Sequence, residues 1–348
     1  MTDARAAPGP RVDQPDVAHL AARLEAAVER WYPGAGVTGV RWLPGGESSL
    51  TYVASVQSAP CRKLVVKVAP PGLAATRNRN ILRQARLLAA LHRAGSVPVP
   101  EVLFIDDGAA GAVGGPLFAM SFSPGDSAEP NIDAAADKLP APPVLGDRAR
   151  QAARVLAAVH ASAIDAPWFL AEQPITLTAE IDRWERALVT LPGEFGLDWG
   201  PLCRRLRATQ PPPLPPRLTH GDYRLGNMLC QGGQVTAVID WEIWSRGDPR
   251  LDLAWFLLTL DAAHPAAVRH APGVPGPREL LGEYESALGA PAGPLAWFTA
   301  ASLFKLTATT GLIAKHALRR GDAANWGVRM IPMLRKMLAS APRALAEP

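Results

Sequence analysis

Apolar residues Val17, Leu20, Leu24, Val28 and Trp31 recur at spacings of three and four and stop before Pro33. That period predicts an amphipathic helix, with Asp16 placed to cap it. Three runs rich in β-branched residues follow at 37–43, 50–56 and 63–68, with Gly45-Gly46 between the first two. A hairpin and a third strand are therefore expected. From Ile81 the period returns to three and four through Leu82, Ala85, Leu88, Ala89 and Leu91, until Pro98 and Pro100 forbid continuation. Further strands are expected at 102–105 and 116–122, so the first 125 residues read as a sheet carrying one internal helix.

Beyond Pro124-Gly125 the pattern turns helical, at 147–164, 178–191, from 247 onward, at 278–288 and at 295–318. Short β-like runs at 217–219, 228–230 and 235–239 surround a polar loop. The run 211–216, five prolines and a leucine, reads as a stiff spacer in front of them. The expected organisation is α+β and two-lobed. Residues 1–15 form a frayed tail, 16–125 a lobe of antiparallel sheet with one main helix, and 126–348 a mainly helical lobe.

Composition narrows the function classes. A chain of 348 residues can bury a sizeable core in two lobes, and 48% hydrophobic residues at a mean hydropathy of +0.03 describe a globular protein. The densest apolar stretch, 253–260, is far shorter than the ~20 residues a bilayer requires, so no membrane partner is expected. The N-terminus lacks the apolar core of a signal peptide. A net charge of +4 is spread along the chain and is no nucleic-acid footprint. The basic cluster Arg204, Arg205 and Arg207 reads as a solvated helix end. Three isolated cysteines, Cys61, Cys203 and Cys230, suggest a reducing cytoplasm and no disulfide framework. Oligomeric state is not encoded in any of these features.

Polar residues concentrate in His220-Gly221-Asp222-Tyr223-Arg224-Leu225-Gly226-Asn227, then Ile239-Asp240-Trp241-Glu242, then Gly247-Asp248-Pro249-Arg250-Leu251-Asp252. Asp222 and Asn227 lie five apart on an irregular loop, and Asp240 follows a β-branched run that should hold it at a strand end. All three carry hard oxygen donors. A carboxylate plus an amide oxygen suits Mg2+, which completes its shell with water and phosphate oxygens. A carboxylate held off the metal can take a proton from an attacking hydroxyl. Phosphoryl transfer is the chemistry these residues suggest, and a metallohydrolase cluster built on His220, Asp222 and Asp240 is the weaker alternative.

The Asp-x-x-x-x-Asn spacing with a strand-end Asp matches the kinase catalytic pattern. With His-Gly-Asp, Asp-Trp and Gly-Asp-Pro-Arg-x-Asp-Leu-Ala, it resembles the aminoglycoside phosphotransferase-like family over about residues 16–340. The resemblance implies a protein-kinase-like fold that binds ATP, or GTP instead, with Mg2+, and phosphorylates a small-molecule hydroxyl acceptor. Under it Asp222 is the base or acceptor-orienting group, Asn227 and Asp240 are the metal ligands, and Arg224 steadies the transferred charge. Gly45, Gly46, Ser48 and Ser49 look like the phosphate-covering hairpin, Lys67 like the third-strand lysine, and Met120 like part of the strand entering the hinge. His220 and the helix residue His160 read as buried scaffold, Trp241 as core, and Asp248 and Asp252 as cap and loop anchor, with Pro249 at the first helical position.

One position departs from the family. Where a helix glutamate usually pairs with the lysine, this chain has Gln84, and no acidic residue lies between Leu73 and Pro100. Three consequences are open: looser ATP binding, a different carboxylate reaching Lys67, or a nucleotide-binding module without turnover. From Leu251 onward seven acidic residues face ten basic ones. A polycationic aminoglycoside is thus an unfavourable acceptor and a neutral or anionic hydroxyl compound a better one. The 297–316 stretch resembles a family branch found near acyl-CoA dehydrogenase functions, which implies a hydroxyacyl-type acceptor, with macrolide or aminoglycoside kinase activity as the alternative.

Overall fold

A computed structural model describes residues 17–43, 49–59, 62–70, 75–108, 115–131, 139–265, 267 and 271–346. In chain order the elements are α1 (Val17–Trp31), β1 (Gly36–Leu43), β2 (Leu50–Gln57), β3 (Lys63–Val68), α2 (Ile81–Ala94), β4 (Val102–Asp106), β5 (Leu117–Ser121), α3 (Pro142–Ala161), α4 (Pro167–Leu170), α5 (Leu177–Val189) and α6 (Gly200–Ala208). They continue as β6 (Arg217–Thr219), β7 (Met228–Gln231), β8 (Gln234–Val238), β9 (Ser245–Gly247), α7 (Arg250–Leu260), α8 (Pro277–Leu288), α9 (Ala296–Arg319), α10 (Trp326–Arg329) and α11 (Ile331–Ala344). The elements fall into two compact units. One holds the described residues up to Ser127 together with Asn227–Trp244, and the other holds Ala128–Gly226 and the chain from Ser245 onward.

The first unit is built on a five-stranded sheet of order β1-β2-β3-β5-β4, antiparallel throughout. Leu20, Leu24 and Val28 are the buried side of α1, and they join Tyr52, Ala54, Leu64 and Val66 in one apolar cluster. The period-3.6 face of the helix thus meets the period-2 face of the strands. Asn80 caps α2 by accepting the Arg83 N–H at 3.0 Å, and Gly95 ends it in the left-handed conformation. The β7–β8 hairpin belongs to this unit. It is fastened by a bridge between Asp126 and Cys230 and by the Val238 N–H donating to the Pro98 carbonyl at 2.8 Å.

The second unit is helical apart from the β6–β9 pair. Its centre is α9, buried along most of its length from Trp297 to Ala317 and apolar on nearly every side, as a core helix must be. Trp184 and Leu188 of α5, Leu202 and Leu206 of α6, Trp255 and Leu258 of α7, and Leu334 and Met337 of α11 pack into the same core.

Two expectations change. The helix placed from Gly247 onward starts at Arg250, because Gly247 closes β9 and Pro249 is the N-cap rather than the first helical residue. The C-terminal helix α11 was hidden by Pro332 and Pro342. Pro332 sits in the first turn, where no N–H is needed, and Pro342 falls near the other end. The proposed cap Asp16 lies outside the described residues.

Leu24 is fully buried against the sheet. Leu24→Ala should cost about 2–5 kcal/mol, read as a lower urea midpoint, whereas an exposed-face change on the same helix, such as Arg30→Lys, should leave the midpoint in place.

Candidate active site

In the sheet unit Lys67 sits on β3 between Thr51 of β2 and Phe118 of β5, and it is nearly buried. Its ammonium donates to Gln84 Oε1 at 3.3 Å and to Asp240 Oδ1 at 3.4 Å. Gln84 is buried on α2, and its Nε2 donates to the Asn78 carbonyl at 3.3 Å, which turns the amide oxygen toward the lysine. The missing glutamate is therefore met in the second of the three ways left open: another carboxylate reaches Lys67, and it is Asp240. Asp240 follows β8 with φ 66° and ψ 50°, the left-handed region that an L-residue enters only at a cost. Aspartate is among the few side chains that tolerate it. The Asp240 side chain is 41% exposed, so part of its carboxylate remains open to a ligand. Asn227 is held beside this turn, since its carbonyl accepts the Ile239 N–H at 2.9 Å. An amide oxygen and one accessible carboxylate make a donor set suited to Mg2+. Ser49 is buried just before β2, and Met120 lies on β5 between Val65 and Val102. Gly45, Gly46 and Ser48 lie outside the described residues.

Asp222 and Arg224 belong to the helical unit, on the loop after β6. Gly221 has φ 88°, which a glycine adopts without steric cost. Its peptide is gripped on both sides. The N–H donates to Asp252 Oδ1 at 2.9 Å, and the carbonyl accepts from Lys305 Nζ at 2.5 Å. The neighbouring His220 N–H donates to Asp252 Oδ2 at 2.5 Å. His220 is fully buried, and its Nδ1 accepts the Asp222 N–H at 3.2 Å, as expected of a scaffold histidine. The hydroxyl of Tyr223 donates to the Ala152 carbonyl at 2.7 Å and ties the loop to α3.

The Asp222 carboxylate accepts from Trp255 Nε1 at 2.9 Å on one oxygen and from Arg224 Nε at 3.2 Å on the other. Burial by itself would push this carboxyl up, but Arg224, Lys305 and His220 outweigh it and hold the group below its ordinary value. Asp222 is thus a firmly ionised acceptor. Arg224 is shared with Glu129, whose Oε2 accepts from Nη1 at 2.5 Å and from the Gly226 N–H at 3.2 Å. A Cβ at Gly226 would collide with this Arg224–Glu129 pair. Arg224 therefore aims Asp222, an orienting role beyond the one expected for it.

The remaining acidic residues of the motif are structural. Asp248 accepts the Arg250 N–H at 3.0 Å and the Leu214 N–H at 2.9 Å, while Arg250 reaches the Pro212 carbonyl at 2.7 Å. Together they dock the proline-rich spacer. Buried His160 faces Tyr284, with Nδ1 2.7 Å from the hydroxyl and Nε2 3.7 Å from Asp252. Trp241 is buried and donates to the Val238 carbonyl at 3.0 Å. Sequence reasoning missed Glu129 and Trp255 altogether, and it met Lys305 only as a positive charge within the 297–316 stretch, with no link to Asp222. Each of the three reaches the loop from a distant segment.

Comparison with known proteins shows the family and the fold. The phosphotransferase enzyme family (APH) matches residues 39–282. Mouse acyl-CoA dehydrogenase family member 10 is 30% identical over 230 residues, which cover 61% of this chain but only 20% of that protein. A Ralstonia eutropha JMP134 protein assigned as an aminoglycoside phosphotransferase superposes with a TM-score of 0.70 at 22% identity, over 92% of this chain and 97% of its own. The aminoglycoside phosphotransferase APH(2")-IIIa, solved with GDP and kanamycin, gives 0.61 at 16% identity, over 91% and 99%. The fold is α+β and kinase-like. No helix among the described residues is long and apolar enough to cross a membrane.

Burial would raise the Asp252 carboxyl, but His160, His220 and the Gly221 N–H outweigh burial and hold it below the ordinary 3.8. A depressed carboxyl contributes stability that is fully present above the unfolded value and is lost as pH falls through the folded one. The stability gap between wild type and Asp252→Asn should therefore be widest above pH 3.8 and shrink below it. Urea titrations across that range check the sign.

Proposed function

Because the chain belongs to the phosphotransferase enzyme family, we propose that it is an ATP- and Mg2+-dependent O-phosphotransferase acting on a hydroxyl of a neutral or anionic small molecule. One observation carries the reading. A nearly buried ammonium, Lys67, is held by Gln84 and Asp240, and Asp240 is a carboxylate kept in a strained turn beside Asn227. An unreactive fold gains nothing from such strain, whereas a phosphate site uses each of these groups.

Under this reading Lys67 meets the nucleotide phosphates, and the Asn227 amide oxygen and Asp240 carboxylate hold Mg2+. The metal, when bound, neutralises charge on the phosphate oxygens. Asp222 orients the acceptor hydroxyl and takes its proton. A weak base suffices, because little charge develops on the attacking oxygen in a loose transition state. Arg224 holds Asp222 in its aim. GTP is the alternative donor. Buried Cys203 and Cys230, which form no disulfide among the described residues, fit a reducing cytoplasm.

The acceptor follows from charge. Asp222 already has Arg224 and Lys305 as cations in its own unit, so a polycationic aminoglycoside would add like charge there. A hydroxyacyl compound suits such a site better, and the likeness to an acyl-CoA dehydrogenase family member supports that class. A second reading, a nucleotide-binding module without turnover, is favoured by one feature: Gln84 gives Lys67 a neutral partner where a carboxylate would give an ion pair.

Calorimetric ATP and GTP titrations with and without Mg2+, followed by phosphate transfer to a panel of hydroxyacyl, macrolide and aminoglycoside acceptors, separate these readings. Asp222→Ala should lower turnover by roughly 10²–10⁴-fold while ATP still binds. Asp240→Ala should abolish the Mg2+ dependence of nucleotide binding. Nucleotide binding without transfer to any acceptor or to water would favour the second reading, and unchanged turnover in Asp222→Ala would remove Asp222 from the mechanism.

A further inference from the structure

Lys305 is a lysine in the middle of α9, nearly buried in a helix that is otherwise almost wholly apolar. An ammonium so placed costs several kcal/mol unless it is paired. Its surroundings show where the compensation comes from. Nζ donates to the Gly221 carbonyl at 2.5 Å and lies 4.0 Å from the ring centroid of Trp255 and 5.8 Å from that of Trp184. Trp255 in turn donates its indole N–H to Asp222 at 2.9 Å, and Gly221 is the residue before Asp222. On the far side Trp184 donates to Glu180 at 2.6 Å. The lysine therefore touches two of the groups that hold the Asp222 carboxylate in place, and Arg224 is the third.

We propose that Lys305 is a positioning residue for Asp222: it locks the Gly221 peptide and the Trp255 ring, and it sets from behind the positive charge that keeps the carboxylate an acceptor. The inference rests on the reading of Asp222 as the group that meets the acceptor hydroxyl.

Asp222 is faced by Arg224 and His220 on its own loop and by Lys305 from α9, and Glu129, whose own carboxyl burial pushes up, pairs with Arg224. Lys305 is faced by Asp222, by Glu180 and Arg183 of α5, and by Asp252 of α7. Burial lowers the ammonium's own affinity for its proton, and three carboxylates restore part of it. Arg224 and Lys305 approach Asp222 from different elements, so removing one leaves the other in place. Lys305 can therefore be tested without dismantling the loop.

The test uses the full chain labelled with 13C-aspartate, without nucleotide, and follows the Asp222 carboxyl signal by pH titration. The signal is identified by its disappearance in Asp222→Asn. Lys305→Gln keeps a donor for the Gly221 carbonyl but removes the charge, and the Asp222 midpoint should rise by about one pH unit or more. Lys305→Arg should return it toward the wild-type value. Lys305→Met, which loses the donor as well, should raise the midpoint at least as far as Lys305→Gln. With Mg-ATP hydrolysis by water as the kinetic probe, Lys305→Gln should lower kcat with little change in KM for ATP and move the acid limb of the profile upward. An Asp222 midpoint that stays at the wild-type value in folded Lys305→Gln overturns the proposal. A wild-type protein that transfers phosphate from neither ATP nor GTP, to water or to any acceptor of the panel, would sink the phosphotransferase reading instead, and the carboxyl titration would still decide the role of Lys305.

Discussion

A carboxylate kept ionised within a helical unit constrains much of what surrounds it. Burial alone would favour the neutral form of the half-buried Asp222 carboxyl, and the donors and positive charge that reach it reverse that preference. Arg224 comes from its own loop, the Trp255 indole from α7 and the Lys305 ammonium from α9. Each of these supports then needs support of its own. Arg224 leans on buried Glu129, Lys305 on the Gly221 carbonyl, and the Gly221 N–H on Asp252. Several of the unit's buried polar groups converge in this way on this one loop.

The sheet unit meets a similar problem with the sign reversed. Lys67 is a nearly buried cation, and its helix partner is an amide. Gln84 Oε1 satisfies one N–H of the ammonium but leaves its charge unmatched. Asp240 supplies the negative charge from a turn after β8 that an ordinary residue would avoid. Lys67 thus has one neutral partner and one charged one, and the charged one comes from a left-handed backbone position.

Small residues set the tolerances of the Asp222 loop. Gly221 occupies a left-handed backbone position, which lets its N–H and carbonyl point in opposite directions toward Asp252 and Lys305. At Gly226 the missing Cβ leaves room for the Arg224–Glu129 pair to cross the chain. Rigidity here comes from hydrogen bonds to the backbone, which hold a side chain's base of attachment rather than its tip. Preorganisation of this kind lets an acceptor-orienting group work without rearrangement at the moment of reaction.

Much of the fold was legible in the chain because hydrophobic period reports local structure directly. The runs at 63–68 and from Ile81, and the helices of the second half, appear close to where their periods placed them. The Asp222, Asn227 and Asp240 motif was legible for a related reason: its members are separated by short, fixed stretches of chain. Gln84 could be recognised as an exception, but not what replaced the missing charge, because Asp240 lies 173 residues away from Lys67. Glu129 and Trp255 carried no local signal, and the 297–316 pattern around Lys305 gave no hint that it meets the Asp222 loop. A glutamate on a loop, a tryptophan in an apolar helix and a lysine in another are ordinary residues until the chain folds. Sequence alone thus determined most of the elements and the residue types of the loop, both of which are encoded by neighbours. Only tertiary packing decided which buried charges compensate one another, because Coulomb energy and hydrogen bonding depend on distance in space and not along the polypeptide.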